Sequence, residues 1–157
     1  KLNKIKGKRD KIIFKGTFAK LVNKKNNSII NLFKLLRRLK LISNHYSISI
    51  IKNIPVFGGL GGGTGNAATI LKFLLKNRVN KGLLKKTELT IGSDLKLFFY
   101  KQGFLQSLSS IKNLKKKKKL FLLLTQPKIK CSTKEIYSKV LKFYLFLRLW
   151  IEDYDHF

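Results

Sequence analysis

An α+β fold is what this sequence predicts, and three observations predict it. Short β-rich runs occur at Asp10 to Gly16 and Tyr46 to Lys52, and stretches with apolar residues at helical spacing follow each of them. Six glycines crowd positions 58 to 65, between the second of those runs and the helical stretch after it.

In chain order, the basic segment Lys1 to Arg9 reads as a loose terminus or hairpin edge. Asp10 to Gly16 predicts a strand closed by glycine, and Phe18 to Val22 predicts a second strand joined to it by a tight turn. Asn26-Asn27-Ser28 is a helix start, because a short polar side chain there can accept from the unpaired N–H groups of the first turn. Ile29, Leu32, Phe33 and Leu36 follow at i, i+3, i+4 and i+7, with Lys34, Arg37, Arg38 and Lys40 on the solvated face. Tyr46 to Lys52 alternates as a strand with Ile48 and Ile50 inward, and it feeds Pro55, which cannot continue a central ladder. Ala67, Ile70, Leu71, Leu74 and Leu75 form the apolar stripe of the next helix. A further helical stretch, Leu83 to Leu89, stops near Gly92, and Asp94 then stands among basic and apolar neighbours.

Gln102 to Asn113 is serine-rich and indistinct, and the five lysines Lys115 to Lys119 read as a solvated linker between domains. The expected domains are therefore 1–114 and 115–157. In the second, Leu120 to Thr125 is a buried-strand candidate, and Ser132 with Glu135 forms a capping box at the start of a helix.

The glycine-rich stretch carries the chemistry. Glycine lets the backbone turn through positive φ and approach a ligand with no Cβ in the way. The helix that follows adds unpaired N–H groups and the positive end of its dipole, which suits an anion such as a nucleotide triphosphate. Thr64 offers a hydroxyl to phosphate or to bound magnesium. A flexible loop is the competing reading of the glycines alone. No lysine follows Gly63-Thr64 as a P-loop requires, and no register gives G-x-G-x-x-G.

A formal net charge of +28 attracts polyanions, so nucleic acid is an alternative partner. Against it, the lysines are dispersed and arginine, the usual reader of bases and phosphates, is scarce. The single cysteine, Cys131, excludes a disulfide within the chain and a cysteine-rich zinc site, and suits a reducing compartment such as the cytoplasm or a plastid stroma. No apolar run reaches the roughly 18 residues of a membrane span, and no signal-peptide pattern is present. The acidic end, with Glu152, Asp153, Asp155 and His156, is not expected to bind metal.

Pro55-Val56-Phe57-Gly58-Gly59-Leu60-Gly61-Gly62-Gly63-Thr64-Gly65-Asn66-Ala67-Ala68 closely resembles the phosphate loop of the GHMP kinase superfamily. The resemblance implies a GHMP-type N-terminal domain, with the fold of the second domain of ribosomal protein S5, followed by the start of a second α/β domain. It is strongest to the branch that phosphorylates the 2-hydroxyl of a cytidine diphosphate-linked methylerythritol in non-mevalonate isoprenoid synthesis. It implies ATP and Mg2+ at the loop from Pro55 to Gly65, with Asn27 and Lys52 near the adenine.

Gly92-Ser93-Asp94 and the apolar run after it resemble the segment that carries the family's catalytic aspartate, which makes Asp94 the acceptor of the alcohol proton. Taken without the resemblance, Asp94 is a turn or cap residue. Thr133 and Tyr137 match positions that flank the cytidine, and also suit capping and core roles with no ligand. The sequence departs from the pattern in three places. Thr64-Gly65 stands for Ser-Ser, Lys96 for a proline, and Gln106 to Ile111 for a glycine-rich turn. The strand with the family's catalytic lysine is expected upstream of Lys1, and its second glycine loop downstream of Phe157. Losing such parts lowers activity steeply, and a decayed kinase fragment is the third reading.

Overall fold

The computed structural model describes residues 1–107 and 110–113, with isolated positions 119, 121–123, 125 and 138 beyond them. The chain divides into two compact units, Lys1–Leu124 and Thr125–Phe157, and the elements described here all belong to the first.

Three strands form its main sheet: β1 (Leu2–Ile5), β2 (Lys11–Lys15) and β3 (His45–Ile51), in the order β1-β3-β2. β1 runs antiparallel to β3 with Leu2 opposite Ile48, and β2 runs parallel to it with Ile12 opposite Ile48 and Phe14 opposite Ile50. A parallel pair needs a crossover, and α1 (Ser28–Arg38) supplies it. α2 (Gly62–Leu75) and α3 (Lys81–Ile91) follow, and a 3₁₀ helix at Ser93–Phe99 carries Asp94.

The register turns Ile48 and its inward neighbours toward the helices. Ile29, Leu32, Phe33 and Leu36 of α1 meet Ala67, Ala68, Ile70, Leu71 and Leu75 of α2 in one core, with Leu83 and Leu95 closing it. Both alanines are fully buried, as a close helix approach requires. Ile48 is buried and Ile50 half-buried against this core, as the alternation predicted.

Asp10 ties three elements together. Arg37, in the last turn of α1, donates to both its carboxylate oxygens at 2.8 Å. Asp10 Oδ1 also accepts from the Tyr46 amide of β3 at 2.8 Å. Arg37 lies 5.4 Å from the centre of the Phe33 ring, which in turn stacks on Tyr46 at 5.7 Å. A bidentate arginine shielded by aromatic faces sets where α1 ends relative to the sheet.

Three expectations are corrected. Phe18 to Val22 is not a strand but contains a 3₁₀ helix at Ala19–Leu21. Gly16 turns at φ +92°, the Phe18 amide donates once to the Lys52 carbonyl at 3.0 Å, and the backbone then bonds locally, Ala19 to Gly16 and Val22 to Ala19, so no strand ladder continues. Glycine is required at this turn, since a Cβ on Gly16 would stand 2.6 Å from Asn53 Oδ1. The indistinct segment from Gln102 holds a hairpin, β4 (Gly103–Ser107) with β5 (Ser110–Asn113), interrupted by a bulge between Leu105 and Ser107. The buried-strand reading of Leu120 to Thr125 fails where it can be checked, because Phe121, Leu122 and Leu123 are exposed and in no strand. β1 resolves the alternatives at the N-terminus in favour of a sheet edge. Ser132 and Glu135 of the expected capping box lie outside the described residues.

Candidate nucleotide site

β3 leads into the glycine loop, and the loop leads into α2. Phe57, Gly59 and Gly61 take left-handed φ values of +66°, +68° and +61°, alternating with residues on the ordinary side. Such alternation turns successive N–H groups toward one side of the chain, the backbone arrangement of anion-binding concavities. Gly61 is the N-cap of α2 and brings no capping side chain, so no side chain claims the first-turn N–H groups of this 14-residue helix.

The loop walls a cavity of about 550 Å³, within the usual range for small-ligand sites. Every residue from Pro55 to Thr64 lines it, together with Asn27, Ser28 and Lys52. Gly65 does not line it. The sequence reading missed Leu21, Val22, Asn23, Asn26 and Ile91 on its wall. It also missed Ser28, whose hydroxyl donates to the Gly63 carbonyl at 2.9 Å and so fastens the start of α2 to the start of α1.

Asn27 does cap α1: its Oδ1 accepts from the Ile29 and Ile30 amides at 3.1 and 3.2 Å, and its Nδ2 donates to the Asn23 carbonyl at 2.9 Å. The side chain is thereby held at the cavity wall. Asn27→Ala is expected to destabilise the fold by about 1 kcal/mol, read as a shift in the urea unfolding midpoint with unchanged slope.

Lys52 is only 7% exposed. Its backbone is locked by the Lys15 carbonyl, which accepts from its N–H at 2.6 Å, and by the Phe18 amide, which donates to its carbonyl at 3.0 Å. Its Nζ stands 3.3 Å from where a Cβ on Gly62 would be. Burial holds the ammonium below its ordinary pKa of 10.5. Between the lowered folded value and 10.5 the unfolded chain keeps the proton more firmly, so stability from this group rises with pH across that window. Lys52→Met removes the penalty at all pH. The melting-temperature advantage of the variant is therefore expected to shrink as pH rises toward 10.5, and a constant difference contradicts the assignment.

Asp94 reaches the same helix start from the other side. A Cβ on Gly61 would stand 3.0 Å from Asp94 Oδ2 and 2.9 Å from Phe98 Cζ, and one on Gly92 would stand 2.9 Å from Asp94 Oδ1 and 3.5 Å from Thr64 Oγ1. The carboxylate is thus brought against the loop and close to the Thr64 hydroxyl, although it does not line the cavity itself. Phe98 also fills the space beside Gly65, where a Cβ would stand 2.7 Å from its ring. The second hydroxyl missing from this loop is therefore matched by an aromatic ring that leaves it no room. Lys72 of α2 donates to the Phe98 carbonyl and covers the Phe99 ring at 4.8 Å, and Lys96 pairs with Glu88 of α3 at 3.6 Å. These contacts anchor the 3₁₀ helix on both neighbouring helices. Thr133 and Tyr137 lie outside the described residues.

Residues 27–97, from the cap of α1 to the 3₁₀ helix that carries Asp94, match the family of GHMP kinases N terminal domain. Over that segment the chain is similar to a GHMP kinase N-terminal domain. It is 41% identical over 138 residues to the 4-diphosphocytidyl-2-C-methyl-D-erythritol kinase of Pelagibacter ubique (strain HTCC1062), covering 85% of this chain and 49% of that relative. It is 36% identical over 148 residues to the kinase of the same name from Wigglesworthia glossinidia brevipalpis, covering 83% and 49%. The counterpart from Colwellia psychrerythraea (strain 34H / ATCC BAA-681) is 32% identical over 123 residues, covering 76% and 41%. The chain spans about half the length of the first two of these curated relatives and less of the third. No solved structure matches it. The matched GHMP kinase segment holds the cavity's glycine wall, Asn27, Lys52 and Asp94. Among the described residues, no helix is long and apolar enough to cross a membrane.

Proposed function

We propose that this chain is the nucleotide-binding part of a kinase that transfers the γ-phosphate of ATP to the 2-hydroxyl of 4-diphosphocytidyl-2-C-methyl-D-erythritol. The observation that carries the reading is the convergence of Asp94, Thr64 and the glycine loop on the start of α2. The names of its relatives support the substrate.

An alcohol is a weak nucleophile at neutral pH, and Asp94 accepts its proton as the phosphoryl group is transferred. The loop from Pro55 to Thr64 binds the triphosphate through its backbone N–H groups, with Asn27 and Lys52 on the cavity wall. Among the described residues no three His, Cys, Asp or Glu side chains gather to hold a metal. The Thr64 hydroxyl on the cavity wall nevertheless fits magnesium carried in on the nucleotide. Thr64 would hold that ion, which when bound neutralises charge on the phosphates. Thr133 and Tyr137 flank the cytidine in this reading. Residues 1–114 form the ATP-binding domain, with the fold of the second domain of ribosomal protein S5, and 115–157 begin the second domain, in the non-mevalonate pathway of the cytoplasm.

The test is ADP release from magnesium-ATP, followed with and without the cytidine diphosphate-linked alcohol, with the phosphorylated product identified by 31P NMR. Release that requires the alcohol is expected. Salt-sensitive RNA binding indifferent to magnesium-ATP, with no product formed, would favour the polyanion reading instead.

A further inference from the structure

We infer that Lys52 reads the phosphate chain of the nucleotide and not its base, its ammonium forming one anion site with the first-turn N–H groups of α2. This deepens the kinase reading and rests on it. The resemblance set Lys52 beside the adenine, but its surroundings point to a different ligand atom.

Lys52 is more than nine-tenths buried, lines the cavity, and reaches with Nζ to the Gly62 end of α2. Among the described residues no carboxylate pairs with it, since the ion pairs there belong to Arg37, His45 and Lys96. Asp94 meets the helix start on the side of Gly61 that faces Phe98. Burying a cation without a counter-charge is costly, and here it is buried beside the positive end of a 14-residue helix whose N-cap has no side chain.

Two positive features of the same site repel each other unless an anion lies between them. An adenine edge offers neutral acceptors and leaves that repulsion uncompensated, whereas a phosphate accepts from both partners and cancels the charge. Lysine acts as a compact point charge with three donors, which suits a phosphate oxygen without demanding a fixed plane.

Calorimetric titration of the whole chain with three probes separates the possibilities: adenosine, magnesium-ATP and inorganic tripolyphosphate. Lys52→Gln is expected to weaken ATP and tripolyphosphate by about tenfold or more and to leave adenosine unchanged, with Lys52→Arg retaining most of the affinity. Loss of adenosine binding in parallel with ATP, and no loss for tripolyphosphate, returns Lys52 to the base and overturns the inference. Equal ATP affinity in wild type and Lys52→Gln overturns it too, while the kinase reading stands. A wild-type chain that binds neither ATP nor tripolyphosphate overturns both. Folding is controlled by Lys52→Met, which is expected to melt no lower than wild type while losing affinity for tripolyphosphate.

Discussion

Asp94→Asn is expected to lower the rate of phosphoryl transfer by about 10²- to 10⁴-fold, the usual contribution of a positioned general base. The amide has nearly the shape of the carboxylate, so the contacts with Gly61 and Gly92 survive, but it cannot take up the alcohol's proton. Magnesium-ATP affinity should change little, because the glycine loop and not this side chain surrounds the cavity. Single-turnover rates and nucleotide titration on the same preparation separate the two effects. A variant that turns over at the wild-type rate removes Asp94 from the chemistry.

Gly61→Val is expected to abolish nucleotide binding while destabilising the fold. At φ +61° a β-branched residue is an outlier, and the strain alone costs about 1–3 kcal/mol. The larger consequence is local. The new Cβ would stand 2.9 Å from Phe98 Cζ and 3.0 Å from Asp94 Oδ2, so ring and carboxylate must both move away from the helix start. Gly59→Ala separates strain from crowding, since Gly59 has a similar φ of +68° but nothing within 4 Å of its Cβ position. It should lose stability with a smaller effect on magnesium-ATP affinity. If Gly59→Ala and Gly61→Val lose affinity equally, crowding of Asp94 and Phe98 is not the cause.

Much of the scaffold was legible residue by residue. Asn27 is a cap because it is a short polar side chain ahead of Ile29, Leu32, Phe33 and Leu36, and those four are buried because their spacing puts them on one face. The glycine loop announced itself through composition. Asp94 did not: one aspartate after Gly-Ser is an ordinary turn residue, and only the resemblance singled it out.

The misreadings have physical causes. Phe18 to Val22 has strand-like residues, but the left-handed turn at Gly16 and local hydrogen bonds override that preference. The β4-β5 hairpin has few apolar residues and a bulge that breaks its alternation. No local pattern marks Lys52 at the end of its β-rich run for burial, which comes with the tertiary contacts that join it to the segment around Phe18.

By itself the sequence determined which stretches are strands and helices along most of 10–91, where the glycine-rich turn lies, and which residue types could bind an anion. Those properties follow from periodicity and from the conformational freedom of single residues, which neighbours a few positions away already reveal. Only the tertiary structure decided that Asp94, Phe98 and Thr64 meet at the start of α2, that Ser28 holds Gly63, and that Lys52 is buried without a carboxylate partner among the described residues. Ser28 and Gly63, for example, are 35 positions apart, and no local pattern encodes which side chains a folded chain will bring within contact distance.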